Sequence, residues 1–252
     1  MRWLVRLGLA GVLLSLVFIW PAGLATAAAP LATLRQATPR VVGSRADGPP
    51  TTLGSAVTVG DRLAVTAAHV VAGAQGLTLV FLDGTVVPVR PVVNEPAADL
   101  AVLRADRSLP AQPFSLRQEP VRIGESQVVV GYRQDLAEQP SVKYGVVTGL
   151  LRPGAPGPDG RDWPLIASTT AASFGDSGGA VLDAESRLTG IVRGGLSTGS
   201  ATSELLSTPV GAIAAYLARG WVLDRNGNPV ASQPGQPTLA FQPYPIAAPW
   251  WR

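Results

Sequence analysis

The chain has 252 residues, with 20 Lys and Arg against 17 Asp and Glu, a single histidine and no cysteine. One imidazole and no thiol exclude a zinc site built from Cys and His, and no disulfide can substitute for a hydrophobic core. Leaving out Arg2 and Arg6 of the N-terminal segment, 18 basic residues face 17 acidic ones. That balance excludes the basic footprint expected of a nucleic-acid binder.

In chain order, the first element is a leader. Arg2 and Arg6 precede the apolar run "LGLAGVLLSLVFIW", Pro21 interrupts it, and small residues follow with Ala25 and Ala27 in A-x-A spacing. This order reads as a secretory signal peptide over residues 1–29, cut after Ala27 or Ala29, and so as an exported protein, secreted or in the cell envelope. The apolar core is about 14 residues against the roughly 20 of a membrane span. An uncleaved anchor is the alternative, and membrane association follows only in that case.

From about Val41 to Val192 the chain is a series of short β runs between turns: "SAVTV", "LAVT", "LTLVFL", "TVVPV", "LAVLR", "SQVVVGY", "YGVVTGL", "GAVLD" and "LTGIV". Asp83-Gly84 between the third and fourth is a hairpin signal. This spacing predicts an all-β sandwich or barrel, and periodicity does not choose between them. Residues 152–164 are a Pro/Gly-rich loop. One helix is predicted near the end, with Thr208 as cap, Pro209 in its first position, Val210, Ile213, Ala214 and Leu217 on one face, Arg219 in its last turn and Gly220 at its stop. Residues 221–252 carry six prolines and read as an extended tail; its aromatic end, with Phe241, Tyr244, Trp250 and Trp251, hints at docking.

The segment with the strongest chemical signal is "SFGDSGGAV", Ser173 to Val181. A serine hydroxyl is a weak nucleophile unless a neighbouring base takes its proton. The flanking glycines allow a sharp turn that exposes Ser177 and lets the amides of Gly175 and Ser177 converge as an oxyanion hole. The sole imidazole, His69 in "LAVTAAHVV", is the candidate base. It needs a buried carboxylate to hold its tautomer. Asp99, at the mouth of the apolar strand in "AADLAVLR", fits, whereas Asp61 and Asp83 sit in turns and Asp106 lies past the strand beside arginines.

"VTAAHVV", "DLAVLR" and "GDSGGAV" together resemble the triad motifs of trypsin-like, chymotrypsin-fold serine proteases, in that family's order. "GSAVTVGDRLAVTAAHVV", "VFLDGTVVPVRPVVNEPAADLAVLRAD", "VRIGESQVVVGY" and "SVKYGVVTGL" resemble its bacterial HtrA (Deg) branch. The resemblance spans roughly Pro39 to Leu217. It implies two packed six-stranded antiparallel β-barrels with a C-terminal helix, a protease domain over residues 30–220, and the triad His69, Asp99 and Ser177 in the cleft between the barrels. It also implies peptide-bond hydrolysis of protein or peptide substrates through an acyl-enzyme, with no cofactor or metal.

Two departures and one further oddity, Arg193, set the chain apart from the family. HtrA proteins usually append a PDZ domain, and the 32 residues after Gly220 are fewer than the roughly 50 of a small domain. Asp176 stands where HtrA members commonly have Asn. In trypsin-type zymogens the equivalent aspartate pairs with a new amino terminus, and "PRVVGS" offers a cleavage site after Arg40. Arg193 in "GIVRGG" lies at the cleft, where it could touch Asp99 and restrain His69 or point to solvent. The position that carries a carboxylate in Lys/Arg-specific members is Ala171. With Ala172, Gly194 and Gly195 it predicts a neutral pocket for small or medium apolar side chains. The alternative to an active endopeptidase is a protease-like binding protein with little activity; an esterase on the same scaffold is a third reading.

Overall fold

The computed structural model describes residues 28–45, 48–134, 138–152, 161–197 and 203–218, plus two short strands at 222–223 and 229–230. The leader up to Ala27, the interior of the Pro/Gly loop, Arg219, Gly220 and the aromatic end of the tail lie outside the described residues.

A short helix, α1 (Leu31–Gln36), precedes seven strands of the first unit: β1 (Arg40–Arg45), β2 (Thr51–Ser55), β3 (Val57–Gly60), β4 (Leu63–Thr66), β5 (Ala74–Val80), β6 (Val86–Glu95) and β7 (Leu100–Ala105), with a four-residue helix α2 (Ala68–Val71) after β4. They form one antiparallel sheet in the order β2-β1-β5-β6-β7-β4-β3. Its two ends, β2 and β3, are separated only by Ala56. The strand over residues 51–60 therefore bends at Ala56 and pairs with β1 through one half and β4 through the other. Six strands, one of them broken, thus curl into a ring.

The expected hairpin is present. Phe81 N–H donates to Thr85 O, Gly84 N–H donates to Phe81 O, and Gly84 has φ 81°. β6 is long enough to pair with β5 through Val86–Pro88 and with β7 beyond it. Its register shifts between Pro91 and Val93, a bulge at a proline that has no N–H to give the ladder. Inside the ring, Val41, Ala64, Leu79, Phe81, Val87 and Leu103 are buried together.

The second unit is a closed six-stranded barrel of β8 (Ser126–Gly131), β9 (Ser141–Leu151), β10 (Leu165–Ser168), β11 (Ala180–Leu182), β12 (Leu188–Ser197) and β13 (Ser203–Pro209), in the order β10-β13-β12-β11-β8-β9. It is followed by helix α3 (Val210–Leu217), then β14 (Val222–Leu223) paired with β15 (Pro229–Val230). A shared core joins the units: Val57, Val65 and Leu100 of the first, Leu182, Leu188 and Ile191 of the second, and Ile213 and Tyr216 of α3. Each fully buried aliphatic side chain there contributes about 1.5–3 kcal/mol.

This is the two-barrel architecture with a C-terminal helix that the motifs implied. Two details correct the sequence reading. The helix starts at Val210, not at Pro209: Thr208 and Pro209 still belong to β13. The Thr208 hydroxyl does not cap the helix but donates to Ala98 O across the barrels. The strands β10 and β13 and the helices α1 and α2 had no clear pattern in the chain, and within the tail β14 and β15 form a two-residue ladder.

Candidate active site

His69 sits in α2, immediately after β4. Backbone N–H groups in the first turn of a helix lack internal acceptors. Here Asp99 Oδ1 accepts the His69 N–H at 3.0 Å. The same carboxylate meets the ring: Nδ1 lies 3.0 Å from Oδ1 and 2.9 Å from Oδ2. One side chain thus fixes both the backbone and the imidazole of His69. Arg45, at the end of β1, donates to the carbonyls of His69 and Val70 at 2.9 Å each and holds the far side of the turn.

Asp99 precedes β7 with φ 49°, a left-handed conformation that an Asp tolerates better than most residues. It is largely buried. Burial pushes its carboxyl up, but the ring and backbone hydrogen bonds of His69, its charge and that of Arg193 outweigh this and hold the pKa below its ordinary value. An ionised Asp99 can only accept, so Nδ1 carries the proton and Nε2 presents a lone pair.

Ser177 comes from the turn between β10 and β11. Gly175 has φ 94° and Gly178 has φ 81°. A Cβ at Gly175 would run into the Tyr132 carbonyl, and one at Gly178 into Ser55 O and Thr66 Oγ1. Both places therefore require glycine, and the second is where the turn abuts the β4–α2 junction that carries His69. No hydrogen bond within the described residues occupies the amides of Gly175 and Ser177.

The residue that ties this turn to the first barrel is Ser55, which is completely buried. Its N–H donates to Ser177 O at 2.8 Å, its hydroxyl donates to Gly175 O at 2.8 Å, and the same hydroxyl accepts from Tyr132 N–H at 2.8 Å. A serine in "LGSAV" has no marking that sets it apart from any strand serine, so only the fold assigns it this position. Phe174, 87% exposed beside Gly175, is equally unmarked in the chain.

Arg193 falls at the register shift of β12 between Val192 and Gly194. It does face Asp99, with Nε 3.9 Å from Oδ2, too far for a hydrogen bond, and His69 keeps both carboxylate oxygens. Ala172 packs against the buried cluster of Val129, Val181, Val192 and Leu205, and a Cβ at Gly195 would stand 3.3 Å from that of Ala172. A Cβ at Gly194 would meet nothing within 4 Å, so that side is open. Ala171 is exposed, and its carbonyl accepts from Lys143.

The two barrels with an acid–imidazole pair on one and a Gly-flanked serine turn on the other define a chymotrypsin-like scaffold. Residues 54–191 match the trypsin-like peptidase domain, more than half of the chain, and the protein belongs to that family. It is 30% identical over 143 residues to the serine endoprotease DegS of Escherichia coli K12, a match covering 56% of this chain and 39% of DegS. It is 27% identical over 139 residues to the serine protease PepD of Mycobacterium tuberculosis, covering 53% of this chain and 30% of PepD. The chain thus spans less than half of either relative. Its fold is that of the active form of the Rv3671c protease of M. tuberculosis, with TM-score 0.65 at 22% identity over 74% of this chain and 82% of that one.

Proposed function

We propose that the protein is an exported serine endopeptidase in which His69, Asp99 and Ser177 form the catalytic triad. Ser177 Oγ attacks the scissile carbonyl as His69 Nε2 takes its proton; Asp99 accepts the Nδ1–H and stabilises the imidazolium. The amides of Gly175 and Ser177 receive the oxyanion. His69 then returns the proton to the leaving amine, and water repeats the sequence on the acyl-enzyme. The observation that carries this reading is the grip of one carboxylate on both the ring and the backbone of the chain's only histidine. A structural histidine has no need of a buried anion on its Nδ1 side and a glycine-built serine turn against its own helix.

Ala171, Ala172, Gly194 and Gly195 form the wall of a neutral pocket for small or medium apolar side chains. Such pockets separate neighbouring sizes by about 1–3 kcal/mol, so the preference is broad. Arg193, facing Asp99, is the observation that favours the second reading, a binding protein of low activity. The leader supports export.

Fluorophosphonate labelling separates the two. Labelling of the wild type that is lost in Ser177→Ala and in His69→Ala is the expected result, followed by cleavage of casein and preference for Ala or Val over Arg in a peptide library. Folded wild type that does not label defeats the catalytic reading.

A further inference from the structure

Lys143 is the only lysine in the chain, and the reaction above gives it no part. It stands on β9 opposite Val129 of β8, with its side chain 18% exposed. Its ammonium donates to Asp176 Oδ2 at 2.5 Å, to Ser173 Oγ at 3.0 Å and to Ala171 O at 2.9 Å. All three acceptors lie in the segment that leads into Ser177. Asp176, fully buried, is the residue between the two proposed oxyanion donors. Its Oδ2 also accepts the Ser173 N–H at 2.8 Å, while Oδ1 is buried over Gly131 with no hydrogen-bond partner among the described residues. A buried carboxylate without a counter-charge is costly. Here the Lys143 ammonium supplies a counter-charge to that carboxylate.

We infer that Lys143 is a positioning residue: it supplies from within the uncut chain the cation that orders the oxyanion turn, so no new amino terminus is required. This rests on the proposed role of the Gly175 and Ser177 amides. The other source of a cation, an amine freed by cleavage after Arg40, conflicts with β1. Val41 is fully buried and paired with Gly54 on one side and Leu79 on the other, so releasing it breaks both ladders.

The chain has no cysteine, which allows a chemical rescue. Lys143→Cys in the full chain provides one thiol, alkylated while unfolded and then refolded. Bromoethylamine adds an aminoethyl group and restores an ammonium at lysine length; iodoacetamide adds bulk without charge. Three quantities are read: the fluorophosphonate labelling rate, hydrogen exchange of residues 171–177, and the amino terminus of the labelled protein. The uncharged product is expected to label about 100-fold more slowly, the loss typical of one misplaced oxyanion donor, with KM for a peptide changed only a few-fold and faster exchange. The aminoethyl product recovers both rate and protection, and the amino terminus lies upstream of Val41. Equal rates and protection in the two products, or labelled protein beginning at Val41, overturn the inference. If the wild type does not label, the catalytic reading fails by itself, and charge-dependent exchange protection still decides for or against Lys143. If neither product refolds, Lys143→Arg decides, with exchange protection near the wild type expected and its loss overturning the inference.

Discussion

Ser55→Ala tests how far the serine turn depends on the first barrel. The substitution removes one buried oxygen and leaves two groups without it: Tyr132 N–H, which is buried, and Gly175 O, which is partly buried. The backbone bond from Ser55 N–H to Ser177 O remains, as does the bond from the Thr66 hydroxyl to Ser55 O. An unsatisfied buried donor or acceptor costs about 1–3 kcal/mol. With one group fully and one partly buried, the expected loss is about 2–4 kcal/mol. For a domain of this size each kcal/mol lowers Tm by roughly 2–4 °C, so a drop of about 5–15 °C is expected. Gly175 also loses the hydrogen bond that fixes its peptide, so fluorophosphonate labelling slows by about tenfold even at temperatures where the variant is folded. Urea denaturation and labelling rates on the same samples check both. A loss of stability under 0.5 kcal/mol, or normal labelling in a variant with the expected loss, would refute the role given to Ser55.

Asp99→Asn keeps the shape and reverses one hydrogen bond. The amide oxygen is needed by the His69 N–H, so the amide nitrogen faces Nδ1 and forces the proton onto Nε2, and turnover of a peptide ester is expected to fall about 10⁴-fold with near-normal KM. Because the Asp99 pKa is held below its ordinary value, its contribution to stability is present above pH 3.8 and is lost as pH falls through the folded value. The stability gap between wild type and Asp99→Asn, measured by urea melts, therefore narrows below about pH 4. Arg193 is one of the charges that lower that pKa. In Arg193→Met the acid-side loss moves to higher pH, more at low salt than at high salt; an unchanged profile would show that Arg193 is screened from Asp99.

What the chain determined by itself is local. The glycines around Ser177 specify a turn because two of them adopt positive φ where any Cβ collides with the opposing backbone. Alternating Val, Leu and Thr specify strands, Asp83-Gly84 specifies a hairpin, and the absence of any second histidine leaves His69 as the only candidate for an imidazole base. The segments it left unmarked are those whose structure is stabilised elsewhere: β13 forms because β10 and β12 supply its partners, and α2 because Asp99 and Arg45 hold its ends.

The tertiary structure decided which polar residues meet across the chain. Thr208 had the look of a helix cap, yet its hydroxyl serves Ala98 O, 110 positions away. Lys143 and Asp176 are 33 positions apart, and Ser55 and Gly175 are 120 apart. Nothing in the neighbourhood of a lysine on a β-strand tells whether its ammonium lies in water or against a buried carboxylate. That depends on barrel closure, which brings β9 beside the turn and removes the water that would otherwise solvate both charges. Arg193 is the same case: residue type allowed contact with Asp99 or exposure to solvent, and the bulge in β12 set it at 3.9 Å. Motifs mark where backbone geometry is demanding, whereas charge pairing is a property of the assembled fold.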